Sequence, residues 1–193
     1  MKTILSTRGY KIPKKYIIKE QIDLIKKDLI INPYIFDMTG FKDNNKEEDN
    51  SYPIYSESDK YYVVPRYWGI RYFGPPVENR IPPGLDIDVE FKGQMRDYQL
   101  DIVNKYMKEV GDQGGSIVNL KTGGGKTVLA LYIISLLKKK TIILVHKSFL
   151  ADQWSDRIRE FLPDVSITKV QGTKTDYSGD IVIAMIQTVL NRE

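Results

Sequence analysis

The chain has 193 residues, 41% hydrophobic and 28% charged, with a net charge of +4 at pH 7, which suits one domain of ordinary size or one domain plus a smaller appendage. It has no cysteine, which excludes disulfides, thiolate metal sites and a Cys nucleophile, and its single histidine, His146, excludes a multi-His metal site. The longest nearly unbroken apolar run, Val128 to Leu137, is far short of a membrane span, and no signal-peptide core follows Met1. The expectation is a soluble intracellular protein, cytoplasmic or nucleic-acid-associated, with no membrane partner.

Residues 1–19 carry Lys2, Arg8, Lys11, Lys14, Lys15 and Lys19 with no acid, yet residues 1–90 balance at 14 basic and 14 acidic. The whole excess lies in 91–193, with 15 basic against 11 acidic. Such mild basicity permits nucleic-acid binding without establishing it. Residues 1–41 form a helical or mixed N-terminal segment, in which Ile17, Ile18, Ile22, Ile25 and Leu29 predict an amphipathic helix over 14–30. The polar stretch 42–51 predicts an exposed loop. Residues 52–90 form an aromatic-rich accessory segment with Tyr52, Tyr55, Tyr61, Tyr62, Tyr67, Trp68, Tyr72 and Phe73. Here YYVVPRYWGIRYFG predicts short strands broken by Pro65 and Gly69. Aromatic rings interleaved with Arg66 and Arg71 can stack on bases, but a small tyrosine-rich core is the simpler reading.

From residue 91 the pattern turns to α/β alternation. A helix capped by Asp97 carries Tyr98, Ile102, Val103, Tyr106 and Val110 on one face and ends at Gly111, Gly114 and Gly115. A short buried strand (116–120), a Gly-rich turn, a helix (126–138), a strand (141–145) and a helix (148–161) follow. Further strands are expected at 166–170 and 180–184. Helices between buried strands imply a parallel sheet, whose last strand is expected to leave an apolar edge or face.

Between the strand at 116–120 and the helix at 126–138 stands Lys121-Thr122-Gly123-Gly124-Gly125-Lys126-Thr127. Successive glycines let the backbone wrap a polyphosphate, with N–H groups pointing inward at the positive end of the following helix. Lys126 would neutralise the β- and γ-phosphates, and the Thr127 hydroxyl would ligate Mg²⁺. The general pattern wants Gly where this chain has Leu120.

Thr-Gly-x-Gly-Lys-Thr without the first Gly resembles the superfamily 2 helicases, and three more segments follow in that family's order. Met95-Arg96-Asp97-Tyr98-Gln99 resembles the element whose Gln reads adenine and whose Arg lies against the base, assigning those roles to Gln99 and Arg96. Leu144 to Trp154 resembles the segment that contacts the nucleic-acid backbone, which points to His146, Lys147 and Ser148, with Ser148 as helix cap. Val170-Gln171-Gly172 and Asp180 to Leu190 resemble the next contact elements. Met185 stands where many members have Thr, and Gln187 and Thr188 remain contact candidates. VHKSFLADQW and VPRYWGIRYFG look like the branch with XPB, phage UvsW and the helicases of large DNA viruses. This adds a virion or viral factory as a location.

The resemblance implies a partial RecA-like domain in 91–193 behind a small α+β N-terminal domain. It implies ATP and Mg²⁺ as cofactors, and nucleic acid and a second RecA-like domain as partners. Lys126 and Thr127 would act in catalysis, with Arg96, Gln99 and Thr122 to Thr127 holding the nucleotide. The family's D-E-x-x box does not follow Leu190. The expectation is therefore the N-terminal part of a longer helicase, without ATP turnover by itself. The alternatives are another nucleotide-binding ATPase, or a nucleic-acid-binding or assembly module with a vestigial nucleotide loop.

Overall fold

In the computed structural model, which describes residues 2–32, 51–110 and 114–191, the chain opens with a hairpin of β1 (Ile4–Ser6) and β2 (Gly9–Pro13). A 3-10 turn at Lys14–Tyr16 leads to α1 (Lys19–Leu29) and β3 (Ile30–Ile31). Then come β4 (Tyr52–Pro53), β5 (Ser56–Glu57), β6 (Tyr61–Val64), α2 (Arg66–Phe73) and β7 (Glu78–Asn79). Five strands form a sheet in the order β5-β6-β2-β1-β7, and β3 pairs with β4 separately. Alternation along β2 buries Tyr10 and Ile12. They join Leu5, Tyr62 and Val64 of the sheet and Ile25 and Leu29 of α1 in one core. Helix α1 is amphipathic as its spacing predicts but starts later than expected, because Ile18 is extended (φ −95°, ψ 164°). Of the expected loop 42–51, only Ser51 lies among the described residues.

The RYWGIRYF stretch is a helix, α2, where strands were expected. Pro65 sits just ahead of it in extended conformation, a place where proline's fixed φ costs nothing. Gly69 marks the crossing of α2 over Tyr10: a Cβ added there would lie 2.4 Å from the ring. The Tyr10 hydroxyl donates to the Gly74 carbonyl at 3.0 Å, and Trp68 Nε1 donates to Asp28 Oδ2 at 3.0 Å. Trp68, Ile70 and Phe73 pack on the core, while Tyr67 and Tyr72 stay exposed beside Arg66 and Arg71.

The chain divides into two units, Met1–Pro83 and Gly84–Glu193. Asp86 bridges to Lys139, and Ile87 and Val89 enter the second unit's core. That unit runs α3 (Asp97–Val110), α4 (Lys126–Leu137), β8 (Thr141–Val145), α5 (Ser148–Phe161), β9 (Ile167–Gln171), β10 (Lys174–Thr175), β11 (Ile181–Met185) and α6 (Ile186–Leu190). The sheet order is β10-β9-β11-β8, with β11 parallel to both β8 and β9 and β10 turned back antiparallel. This is the mixed α/β architecture, with a parallel sheet, of a partial RecA-like domain. Leu131 and Ile134 of α4 and Ala151 and Ile158 of α5 pack with Ile181 and Ile183 of β11. Val103 of α3 meets Leu129 and Ile133 on another side of α4, which explains why α4 is apolar all round. No helix among the described residues is long and apolar enough to cross a membrane.

Two expectations fail here. Residues 116–120 form no strand, and Ile117 is 95% exposed. A strand exists only with a ladder partner, and no described strand pairs with this one. The last strand is also not the exposed one. β11 lies inside the sheet with Ile181 to Ala184 buried, and the exposed aliphatic side chains Ile142 and Leu144 are on the edge strand β8.

At the entry to β9 and β11, the Asp180 carboxylate accepts the Ser166 N–H at 2.8 Å and its hydroxyl at 2.6 Å. These bonds from Ser166 hold the Asp180 carboxyl below the usual carboxylate range. A depressed folded-state pKa contributes stability that is complete above the unfolded value, near 3.9, and is lost as pH falls through the folded one. An Asp180→Asn variant is expected to show a flatter loss of stability below about pH 4 in acid titrations followed by circular dichroism. Gly69→Ala is expected to lower the melting temperature, because overpacking costs about 1–3 kcal/mol. At this chain length each kcal/mol is worth about 2–4 °C.

Candidate nucleotide site and strand-contact edge

Gly123 (φ +78°) and Gly125 (φ +77°) take the left-handed backbone that glycine adopts without strain. No atom lies within 4 Å of where a Gly123 Cβ would be, so the rim of the loop is open. Helix α4 starts at Lys126, and its first backbone bond runs from the Leu129 N–H to the Gly125 carbonyl at 2.9 Å. Helix geometry therefore leaves the amides of Lys126, Thr127 and Val128 without an intrahelical acceptor, at the positive end of the helix dipole. The open rim and these spare amides fit a phosphate. Lys126 is exposed, and its Nζ donates to the Lys121 carbonyl at 3.0 Å, which also accepts the Gly124 N–H at 3.1 Å. A neutral carbonyl is a weaker partner for an ammonium than a phosphate oxygen is. Thr127 is half-buried in the first turn. Among the described residues no cluster of three acidic or histidine side chains could hold a metal. The Thr127 hydroxyl, in the first turn of α4, would offer a Mg²⁺ at this loop an oxygen beside phosphate oxygens.

Beside the loop, Gln99 is only 4% exposed. Its Oε1 accepts the Arg96 N–H at 3.0 Å, and its Nε2 donates to the Gly124 carbonyl at 3.2 Å. The start of α3 is thus closed by Gln99 reaching back to Arg96, and Asp97 lies inside the first turn instead of capping it. Tyr98 is not on the core face as its spacing suggested. It is 42% exposed, donates from its hydroxyl to the Gly124 carbonyl at 3.1 Å and accepts from Arg96 Nη1 at 3.2 Å. One loop carbonyl therefore receives two donors from the first turn of α3. The approach is close: a Cβ on Gly125 would lie 2.4 Å from Gln99 Nε2. Tyr98 is the residue that sequence reasoning missed. Its signal was adjacency to Gln99 in the RDYQ element, which the helical-face assignment overrode.

A second group gathers where β8, β9 and β11 end. Gln187 Nε2 donates to the His146 carbonyl at 3.0 Å, and the Thr188 hydroxyl accepts the Gly172 N–H at 3.1 Å. The first turn of α6 thus ties down the loops after β8 and after β9. A shallow cavity of about 250 Å³ is lined by Gly172, Gln187, Thr188 and Asn191. His146, Lys147 and Ser148 are exposed at the start of α5. Lys147 occupies the capping position without a side-chain cap, so Ser148 is the first helical residue and not the expected cap. The sequence candidates therefore fall into two groups, Arg96 and Gln99 with the 122–127 loop, and His146 to Ser148 with Gln187 and Thr188.

A family model described as type III restriction enzyme, res subunit, matches residues 92–193. A provisionally named ATP-dependent RNA helicase of Acanthamoeba polyphaga mimivirus is 31% identical over 197 aligned positions, covering 98% of this chain and 36% of the relative. The DNA 3'-5' translocase XPB2 of Sulfurisphaera tokodaii is 42% identical over 74 residues, 38% of this chain and 16% of the translocase. A provisionally named helicase of Invertebrate iridescent virus 6 is 31% identical over 86 residues, 45% of this chain and 19% of the viral protein. The chain thus spans about a third of the length of the mimivirus relative and less of the other two.

Tyr98→Phe removes one donor to the Gly124 carbonyl and is expected to cost about 1 kcal/mol, while Gln99→Ala removes a buried donor and an acceptor and is expected to cost about 2 kcal/mol. Thermal melts give the size of each loss. Hydrogen exchange at residues 123–126 shows whether it is felt at the loop, where faster exchange is expected in both variants.

Proposed function

Because the chain belongs to the family of the type III restriction enzyme res subunit, among the superfamily 2 helicases, we propose that it supplies the ATP-binding and strand-gripping part of an ATP-driven nucleic-acid translocase. The observation that carries this is the open glycine loop at the start of α4, fixed through its Gly124 carbonyl by the first turn of α3. Lys126 and the amides at the head of α4 bind the phosphates, and the Thr127 hydroxyl offers the metal a ligand. Mg²⁺, when bound, supplies neutralisation of phosphate charge. A primary amide has two donor and two acceptor positions. Gln99 spends one of each on Gly124 and Arg96, so one of each remains for the adenine edge. The exposed guanidinium of Arg96 lies against the base.

At the other group, Lys147 and the amides that open α5 hold the phosphates of one strand, with His146 beside them. Gln187 and Thr188 act mainly by positioning, because their side chains are engaged with the His146 carbonyl and the Gly172 amide. Phosphate contacts carry no base information, so strand sequence matters little. Hydrolysis and translocation belong to the whole protein. These 193 residues are expected to bind ATP–Mg²⁺ without turning it over, since they contain no Asp-Glu pair of the family's D-E-x-x kind to position an attacking water.

Titration calorimetry with ATP–Mg²⁺ tests this. Lys126→Ala is expected to weaken binding about 10- to 100-fold, the worth of a charge-assisted hydrogen bond. Gln99→Ala is expected to narrow the preference for ATP over GTP. An affinity that ignores Lys126 would make the loop vestigial. Steady phosphate release by the parent chain, abolished in Lys126→Ala, would show that these residues turn ATP over.

A further inference from the structure

The N-terminal unit carries a basic surface for which the motor reading has no use. Residues 1–19 hold six Lys and Arg and no acid, and the sheet gathers several of them in one place. Because Tyr10 and Ile12 of β2 point into the core, Lys11 between them points away from it. Strand pairing sets Lys11 opposite Val63 of β6 and Pro13 opposite Tyr61, and directly paired residues share a face. Tyr61 is a wall of two cavities. One, of about 230 Å³, is also lined by Arg8 and Lys11, and the other, of about 360 Å³, by Lys14, Lys15 and Lys60.

Five cations and a half-buried phenol ring thus face two acids, Glu57 and Asp59. Only Lys14 is neutralised by a described residue, through its 2.5 Å ion pair with Glu57. Arg8, Lys11, Lys15 and Lys60 form no ion pair with a described residue. Lys15 instead lies over the Tyr16 ring, 4.6 Å from its centre. Four cations outside any ion pair with a described residue, in two cavities that share the Tyr61 ring as a wall, are the recognition chemistry of a single strand. The cations track phosphates, and the ring stacks on a base of any sequence. An anionic membrane or an acidic protein would need the charges but not the ring between them.

We propose that this face of the N-terminal unit binds a single nucleic-acid strand, with Arg8, Lys11, Lys15 and Lys60 on phosphates and Tyr61 under a base. The site lies outside the segment that the helicase family model covers and does not depend on nucleotide binding at Lys126.

The test uses the whole 193-residue chain without ATP, titrated into fluorescein-labelled 12-mers of oligo(dT) and oligo(U) and followed by anisotropy from 50 to 200 mM KCl. The double variant Arg8→Gln/Lys11→Gln changes two solvent-facing side chains. It is expected to weaken binding about tenfold and to lower the salt slope by about 1.4, two phosphates at 0.7 each. Tyr61→Ala is expected to weaken binding about fivefold or more and Tyr61→Trp to restore it. Melting curves confirm that each variant is folded. A preference between the two oligomers assigns DNA or RNA within the proposal. The proposal is overturned if the double variant keeps the parent's affinity and slope. It is overturned equally if a folded Tyr61→Ala binds like the parent, or if vesicles containing phosphatidylserine displace the oligomers at matched charge. ATP affinity measured on the same variants is expected to equal the parent's, which separates this site from the nucleotide loop.

Discussion

Strand β11 is the constraint on which the second unit rests. It enters between β8 and β9, pairs in parallel with both and buries four consecutive residues, Ile181 to Ala184. Parallel pairing on both sides aligns the ends of three strands at one edge, and the chain leaves β11 directly into α6. Gln187 and Thr188 therefore arrive at the loops after β8 and β9 without any long connection. Asp180 and Ser166 close the opposite end of the same ladder. A substitution that shifted β11 by one residue would turn its side chains over and move both ends together, because the side-chain period of a strand is two.

The phosphate loop obeys a different logic. Glycines give it freedom, and a loop free enough to wrap a phosphate is too free to hold one shape alone. The Gly124 carbonyl removes part of that freedom by accepting Tyr98 and Gln99 together, and Gly125 leaves room for Gln99 to come that close. The Lys126 ammonium meanwhile lies on the Lys121 carbonyl. These are neutral acceptors where an anion would be the stronger partner, so the loop has shape without having spent its strongest donors. The Gln99 amide that holds the loop keeps one donor and one acceptor position beyond its bonds to Gly124 and Arg96, so under the proposed function one side chain would serve both loop and base.

Much of this was legible in the sequence. Residues 141–145 and 148–161 fall on β8 and α5 as read, because short apolar runs and helical periodicity are local signals. The failures share a non-local cause. Residues 116–120 have the composition of a strand, but a strand is made by its neighbour, and none of the described strands is there to pair. Pro65 and Gly69 look like breakers in a β-rich stretch. Proline ahead of a helix is favourable, though, and Gly69 answers to the ring of Tyr10, distant in sequence. Tyr98 was placed on the core face by spacing alone, because a hydrogen bond to a carbonyl 26 residues away leaves no trace in periodicity.

Two parts that the sequence read as core are left open by the fold. Ile117 is 95% exposed, and the edge strand β8 shows Ile142 and Leu144. Unpaired ladder groups and uncovered aliphatic side chains lower local stability, since they contribute neither hydrogen bonds nor burial. The segment that leads into the phosphate loop is thus held less firmly than α4 itself, which is packed through Leu129, Leu131 and Ile134. A ligand held by the amides of α4 would bind the firm side and order the loose one. Binding free energy delivered there would appear as added stability in residues 116–125.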